Sequence, residues 1–232
     1  MDLILQGAKH AVELLIHGDP EIFQVVLLSL QVSGTAVLIS LLLGIPLGTV
    51  LALSEFPGRR LVLSLVNTGM GFPPVVVGLF VSMLLWRSGP LGGLNLLYTP
   101  AAMVIAQVAL AAPIIIGLTV AAIQQLNPKF RLQILSLGAN RRQMIWVLLQ
   151  EARLPLLAAV MAGFGGVISE VGAVMMVGGN VKGQTRVLTT ATVLETRMGH
   201  FDVAIALSLV LLGITFLVNL ILTIFQQRGG IR

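Results

Sequence analysis

Hydrophobic residues fall along this chain in five long blocks separated by short polar segments. A helix needs roughly 20 apolar residues to cross a hydrocarbon core about 30 Å thick, so the pattern predicts membrane spans over about 22–53, 61–86, 99–124, 154–177 and 203–225. The first block is longer than a bilayer demands. Its Gly44-Ile45-Pro46-Leu47-Gly48 run predicts a bend, with the two glycines serving that bend more than a helix-dimer contact. The second carries Gly71-Phe72-Pro73-Pro74, which removes two backbone donors and weakens the helix at membrane depth, where neighbouring helices must shield it. Pro113 interrupts the third, and these mid-helix prolines read as fixed kinks more than as hinges. The fourth is rich in Ala158, Ala159, Ala162, Gly163, Gly165 and Gly166, small residues that let helix backbones approach closely.

No polar block is large enough for a separate soluble domain, so residues 21–232 read as one transmembrane domain. Ahead of it, residues 1–20 carry Asp2, Lys9, Glu13 and Asp19 without a sustained apolar run or small-residue cleavage site, so no cleavable signal is expected there. Leu5, Ala8, Val12, Leu15 and Ile16 share one helical face there and predict an amphipathic segment on the membrane surface, with a frayed leader as the alternative.

Composition agrees with lipid as the main solvent: 56% of residues are hydrophobic, 10% are charged, and the mean hydropathy is +1.00. The absence of cysteine removes disulfides and thiolate chemistry. A pI near 10.8 does not imply nucleic acid, because the 14 basic residues are dispersed through interhelical segments. Five spans put the termini on opposite sides. Arg59, Arg60, Lys129, Arg131, Arg141, Arg142, Arg153, Arg228 and Arg232 fall on one side, and Lys9, Arg87, Lys182, Arg186 and Arg197 on the other. That division of nine against five predicts an outside N-terminus and a cytoplasmic C-terminus.

Two segments carry candidate chemistry. In the polar stretch 127–152, the turn Leu137-Gly138-Ala139-Asn140-Arg141-Arg142 sits between two amphipathic helical patterns and precedes Leu154-Pro155. Further on, Ser169-Glu170-Val171-Gly172-Ala173 leads through Met175 and Met176 to Gly178-Gly179-Asn180, Gly183, Thr185 and Leu188. An ionised carboxylate in hydrocarbon is costly, so Glu170 should face the protein interior, a water-filled cavity or a partner. His10, His17 and His200 form no metal spacing. The spans hold no paired carboxylates, no Ser-Lys or Ser-His arrangement and no His-Glu-x-x-His motif, so an intramembrane enzyme is disfavoured. No phosphate-binding Gly-x-x-x-x-Gly-Lys-Ser/Thr loop appears either, so any ATP is hydrolysed by a separate chain.

The first segment resembles the coupling loop of ABC importer permeases, which docks into a groove on the ATPase. It departs from the family pattern in reading Leu132-Gln133-Ile134 where Glu-Ala-Ala is typical. Gly138 also lies about four residues, roughly one helical turn, further from Leu154-Pro155 than usual. The second resembles the molybdate, sulfate and tungstate branch of these permeases, with Glu170, Gly172, Ala173, Gly179, Asn180, Gly183, Thr185 and Leu188 matching in order, and is most similar to the tungstate permeases.

The resemblance implies an all-α membrane protein with the type I ABC importer permease fold, in a bacterial or archaeal cytoplasmic membrane. It further implies a homodimer, a cytoplasmic ATPase dimer that binds ATP and Mg, an extracytoplasmic oxyanion-binding protein, and no cofactor on this chain. The expected function is tungstate import by alternating access, with Leu137 to Arg142 coupling to the ATPase. Ser169, Glu170, Gly172, Met175, Met176, Gly179, Asn180 and Thr185 are the expected path or gate residues. Alternatives are a molybdate or sulfate permease and an ion-gradient-driven secondary transporter in which Glu170 couples protons. Lys182 and Arg186 read as solvated loop charges before anion-steering groups.

Overall fold

The computed structural model describes residues 20–229. The amphipathic segment expected over 1–20 lies outside the described residues apart from Pro20, which opens α1, Pro20–Leu53. There follow α2, Arg59–Met70; α3, Pro74–Leu85; a single 3-10 turn, Gly92–Leu94; α4, Pro100–Gln124; α5, Pro128–Ser136; and α6, Arg141–Glu151. The chain continues with α7, Arg153–Ile168; α8, Gly172–Gly178; α9, Leu188–Met198; and α10, Phe201–Gly229. No strand occurs among the described residues, so the fold is all-α as expected.

Three helices, α1, α4 and α10, are long and apolar enough to cross a bilayer unaided. The second expected span is more than weakened: α2 and α3 meet at 105°, because Pro73 and Pro74 cannot supply the N–H groups that would carry the helix past Gly71. The fourth stops at Ile168, nine residues before the expected end, and α6 meets it at 68°. Helix α9 was not anticipated, since its Thr-rich start carries no apolar stripe.

Helix α4 occupies the centre and packs on α1, α7, α2, α8 and α3. Its small residues set the distances. A Cβ at Gly44 would lie 2.7 Å from Ile115 Cγ2, and one at Gly48 would lie 2.7 Å from Thr119 Cβ and 2.9 Å from the Ile116 carbonyl. Gly44 and Gly48 therefore serve the close crossing of α1 and α4, correcting their assignment to a bend, and α1 runs unbroken through Pro46. Buried Val32, Val81, Met103, Val174 and Val177 form a core joining α1, α3, α4 and α8. Val37, Ala111, Phe164 and Val167 join α1, α4 and α7 below it.

Candidate functional site

The break between α7 and α8 leaves carbonyls at the end of one helix and N–H groups at the start of the next, all of which need partners away from water. Ser169 Oγ donates to the Gly165 carbonyl at 2.7 Å, and Gln107 Nε2 on α4 donates to the Val167 carbonyl at 2.9 Å. Across the gap, Glu170 Oε1 accepts from Ala173 N–H at 3.0 Å, and Thr189 Oγ1 donates to the Glu170 carbonyl at 2.9 Å. Glu170 is thus a half-buried cap on α8, its negative charge at the end of the helix that favours one. Ser169 is exposed, and its hydroxyl also lies 3.3 Å from the Gly166 carbonyl.

Helix α8 lies on α3 with almost no side chain between them. A Cβ at Gly78 would stand 2.7 Å from Ala173 Cα, and one at Gly172 would stand 2.6 Å from Val75 Cγ2. Ser82 Oγ on α3 donates to the Met176 carbonyl at 3.2 Å, tying the pair together. Met175 is half-buried, whereas Met176 is exposed beside Leu79, Ser82 and Met83 in a cavity of about 710 Å³. The outward face of α3 adds Val75, Val76, Phe80 and Leu84, so α3 and α8 present one apolar plate.

Beyond α8 the chain turns through Gly179 and Asn180, with φ of 69° and 53°. Thr185 is fully buried: its hydroxyl donates to the Gly178 carbonyl at 2.5 Å and accepts from Val181 N–H at 2.9 Å. Thr185 therefore pins the loop from inside the fold. Asn180 Nδ2 reaches the Thr190 carbonyl at 3.4 Å. Lys182 Nζ lies 2.6 Å from Glu21 Oε2 and Arg186 Nη1 3.8 Å from Glu21 Oε1, so both loop cations face a carboxylate at the start of α1.

The other candidate group stands at the opposite end of α1, where Ala52 and Leu53 border a cavity of about 500 Å³ with Leu132, Leu135 and Leu148. Helices α5 and α6 form a hairpin around buried Ile134, Met144 and Leu148. Gly138, at φ 82°, makes the turn. Asn140 and Gln143 then close a reciprocal cap, Gln143 N–H to Asn140 Oδ1 at 2.9 Å and Asn140 N–H to Gln143 Oε1 at 2.8 Å. Leu137 at the tip is 87% exposed; Arg141 and Arg142 are also exposed, and Ala139 is half-buried. The expected residues thus gather into two groups at opposite ends of α7: the hairpin tip and the α7–α8 break. Sequence reasoning missed Gln107, Gly78 and Tyr98. A glutamine in an apolar block was the available signal for the first; nothing local marked the other two.

Residues 44–229 match the family of binding-protein-dependent transport system inner membrane components. The chain is 41% identical over 228 residues to a tungstate uptake system permease protein of Peptoclostridium acidaminophilum, covering 98% of this chain and 100% of that one. It is 38% identical over 221 residues to the tungstate uptake system permease protein of Campylobacter jejuni, covering 95% and 92%. Among solved structures, an inward-facing form of the MetNI methionine ABC transporter superposes with a TM-score of 0.74 at 19% identity, over 90% of this chain and 96% of that one.

Proposed function

We propose that this chain, which belongs to the family of binding-protein-dependent transport system inner membrane components, is the membrane-spanning permease subunit of an ATP-driven tungstate importer. The observation that carries the reading is the capped α5–α6 hairpin with exposed Leu137 at its tip, at the far end of α7 from the apolar plate of α3 and α8. The full-length likeness to tungstate uptake permeases supports the cargo.

In this reading two copies of the chain face each other across the plates and form the path. A cytoplasmic ATPase dimer, which alone binds ATP and Mg, receives Leu137, Gly138, Ala139, Asn140, Arg141 and Arg142 in its groove. An extracytoplasmic binding protein delivers the anion at the end where α1 begins, so the N-terminus is outside and the C-terminus cytoplasmic in a bacterial or archaeal membrane. Nucleotide-driven closure pushes the hairpin, α7 moves with it, and α8 shifts with α3 to open the path. Such coupling requires contacts that differ between the two states.

The test is uptake into proteoliposomes holding this chain, its ATPase and its binding protein, with tungstate, molybdate or sulfate supplied separately. Leu137→Asp changes an exposed tip residue, so folding persists while tungstate uptake is lost. Uptake that needs no ATP and follows an ion gradient overturns the reading.

A further inference from the structure

The loop between α3 and α4 is built tightly over the end of α3. Gly89 N–H donates to the Trp86 carbonyl at 2.7 Å and Leu91 N–H to the Leu84 carbonyl at 2.9 Å, which closes carbonyls the helix leaves open. A Cβ at Gly89 would collide with the Met83 and Leu84 carbonyls, and one at Gly92 with those of Trp86 and Arg87, so the loop admits nothing larger at either place. Further along, Asn95 and Tyr98 hold φ of 51° and 63°. Left-handed geometry costs a non-glycine residue about 1–3 kcal/mol and persists where the surroundings over-determine it. Tyr98 is held by its N–H, which donates to the Val177 carbonyl at 2.9 Å, and by its ring, which fills the space a side chain at Gly179 would need.

This loop borders a half-open cavity of about 490 Å³ whose lining includes Leu97 and the exposed side chains of Trp86, Arg87, Asn95 and Tyr98. The lining contains one cation and no acidic residue. Arg87 makes no ion pair among the described residues, whereas Lys182 and Arg186 face Glu21. A guanidinium, a phenol and a primary amide bring only donors and neutral acceptors together. Such donors recognise an anion by charge-assisted hydrogen bonds, with the guanidinium able to grip two oxygens at once. Trp86 and Tyr98 also border the adjoining cavity that contains Ser82 and Met176.

We propose that the Arg87–Tyr98 cavity is a binding site for a divalent tetrahedral oxyanion, which occupies it before passing the plate of α3 and α8. The inference rests on the importer reading and adds to it a station on the permease itself. Arg87 carries the charge recognition, bidentate to two oxygens, and Tyr98 and Asn95 donate to the others.

The experiment uses the full chain in nanodiscs of zwitterionic lipid, without partners, in equilibrium dialysis against tungstate, molybdate or sulfate. Trp86 fluorescence in a Trp146→Phe background gives a second readout. Wild type binds one dianion per chain saturably. Arg87→Gln weakens that binding by about tenfold or more, the loss expected for one charged hydrogen-bonding group, Arg87→Lys restores part of it, and Arg197→Gln, outside the cavity, leaves it unchanged. Asn95→Asp alters no volume and sets a carboxylate in the lining, so it weakens binding even if Arg87→Gln fails to fold. Absence of saturable binding by wild type, or equal binding by folded Arg87→Gln, overturns the site. If the reconstituted complex imports tungstate while Arg87→Gln binds as wild type does, the site fails and the importer stands. Arg87-dependent binding by a chain whose complex imports no oxyanion supports the site and overturns the importer.

Discussion

Glu170→Gln keeps an oxygen where Ala173 N–H donates at 3.0 Å, whereas Glu170→Ala removes it. Loss of a capping side chain costs about 0.5–2 kcal/mol, and the attraction between a carboxylate charge and a helix N-terminus accounts for about 0.3–1 kcal/mol of that kind of stabilisation. The glutamine variant therefore loses at most about 1 kcal/mol. The alanine variant also leaves a buried N–H without a partner, raising its loss to about 1–3 kcal/mol. In a chain of this length each kcal/mol moves the unfolding midpoint by about 2–4 °C. Thermal unfolding of the purified variants and ATP-dependent uptake in proteoliposomes read the two effects separately. The expected result is that Glu170→Gln transports and unfolds close to wild type, while Glu170→Ala unfolds several degrees earlier and transports less. A Glu170→Gln protein with wild-type unfolding but no uptake would refute the reasoning. The ionised carboxylate, and not its hydrogen bond, would then be the working group, as in a proton-coupled transporter.

Gly78→Ala sets a methyl group 2.7 Å from Ala173 Cα, a backbone atom that cannot step aside. It should cost about 1–3 kcal/mol and reduce uptake, whereas Gly34→Ala, with nothing within 4 Å, should gain about 0.5–1 kcal/mol in unfolding measurements. Gln107→Leu removes the donor that reaches the Val167 carbonyl across 60 positions of sequence. A loss of about 1–3 kcal/mol is expected, with faster amide hydrogen exchange across the α7–α8 break; unchanged exchange there would show that water or another group satisfies the carbonyl.

The spans and the hairpin were legible because their signals are local. Twenty apolar residues, two adjacent prolines, and a glycine between two amphipathic patterns each imply a backbone consequence without reference to the rest of the chain. Gly138 makes the turn there at φ 82°, and the reciprocal Asn140–Gln143 cap beside it was added by the structure. What escaped was non-local. The apolar run 154–177 does not say that the helix ends at Ile168, because the groups that make a break tolerable come from α4 and α9, through Gln107 and Thr189. Gly44-x-x-x-Gly48 has the same local appearance whether it bends a helix or admits a neighbour, and only Ile115 and Thr119 decide. Thr185 and Ser169 read as path donors because both are hydroxyls in the polar segment around Glu170 and Asn180. Their protons are taken by Gly178 and Gly165, whose carbonyls the turn and the helix end leave open.

Helix α7 has a bend at one end and a break at the other, and this bears on how a load on the hairpin reaches the plate in the proposed importer. Sixteen residues span about 24 Å, enough to join the base of the hairpin to the α7–α8 break by one stiff element. At the hairpin end the joint is tight: Ala152 is fully buried, and its N–H donates to the Leu148 carbonyl at 2.9 Å. At the other end no helical ladder crosses from α7 to α8, so α8 follows α7 through the short Ser169-Glu170-Val171 link and through side chains on α4 and α9. Helix α2 is clamped to α4, where a Cβ at Gly69 would meet Pro113 at 2.9 Å, while α3, beyond the 105° break, is clamped to α8 at Gly78. The two broken spans therefore divide alike: α2 and α7 pack on the central helix, and α3 and α8 pack both on it and on each other. Helices α3 and α8 form a single leaf whose exposed face, Val75, Leu79, Phe80, Met83 and Met176, is apolar. In the proposed importer, a dianion meeting that leaf finds no charged group to replace its water, so desolvation supplies a barrier until the leaf moves.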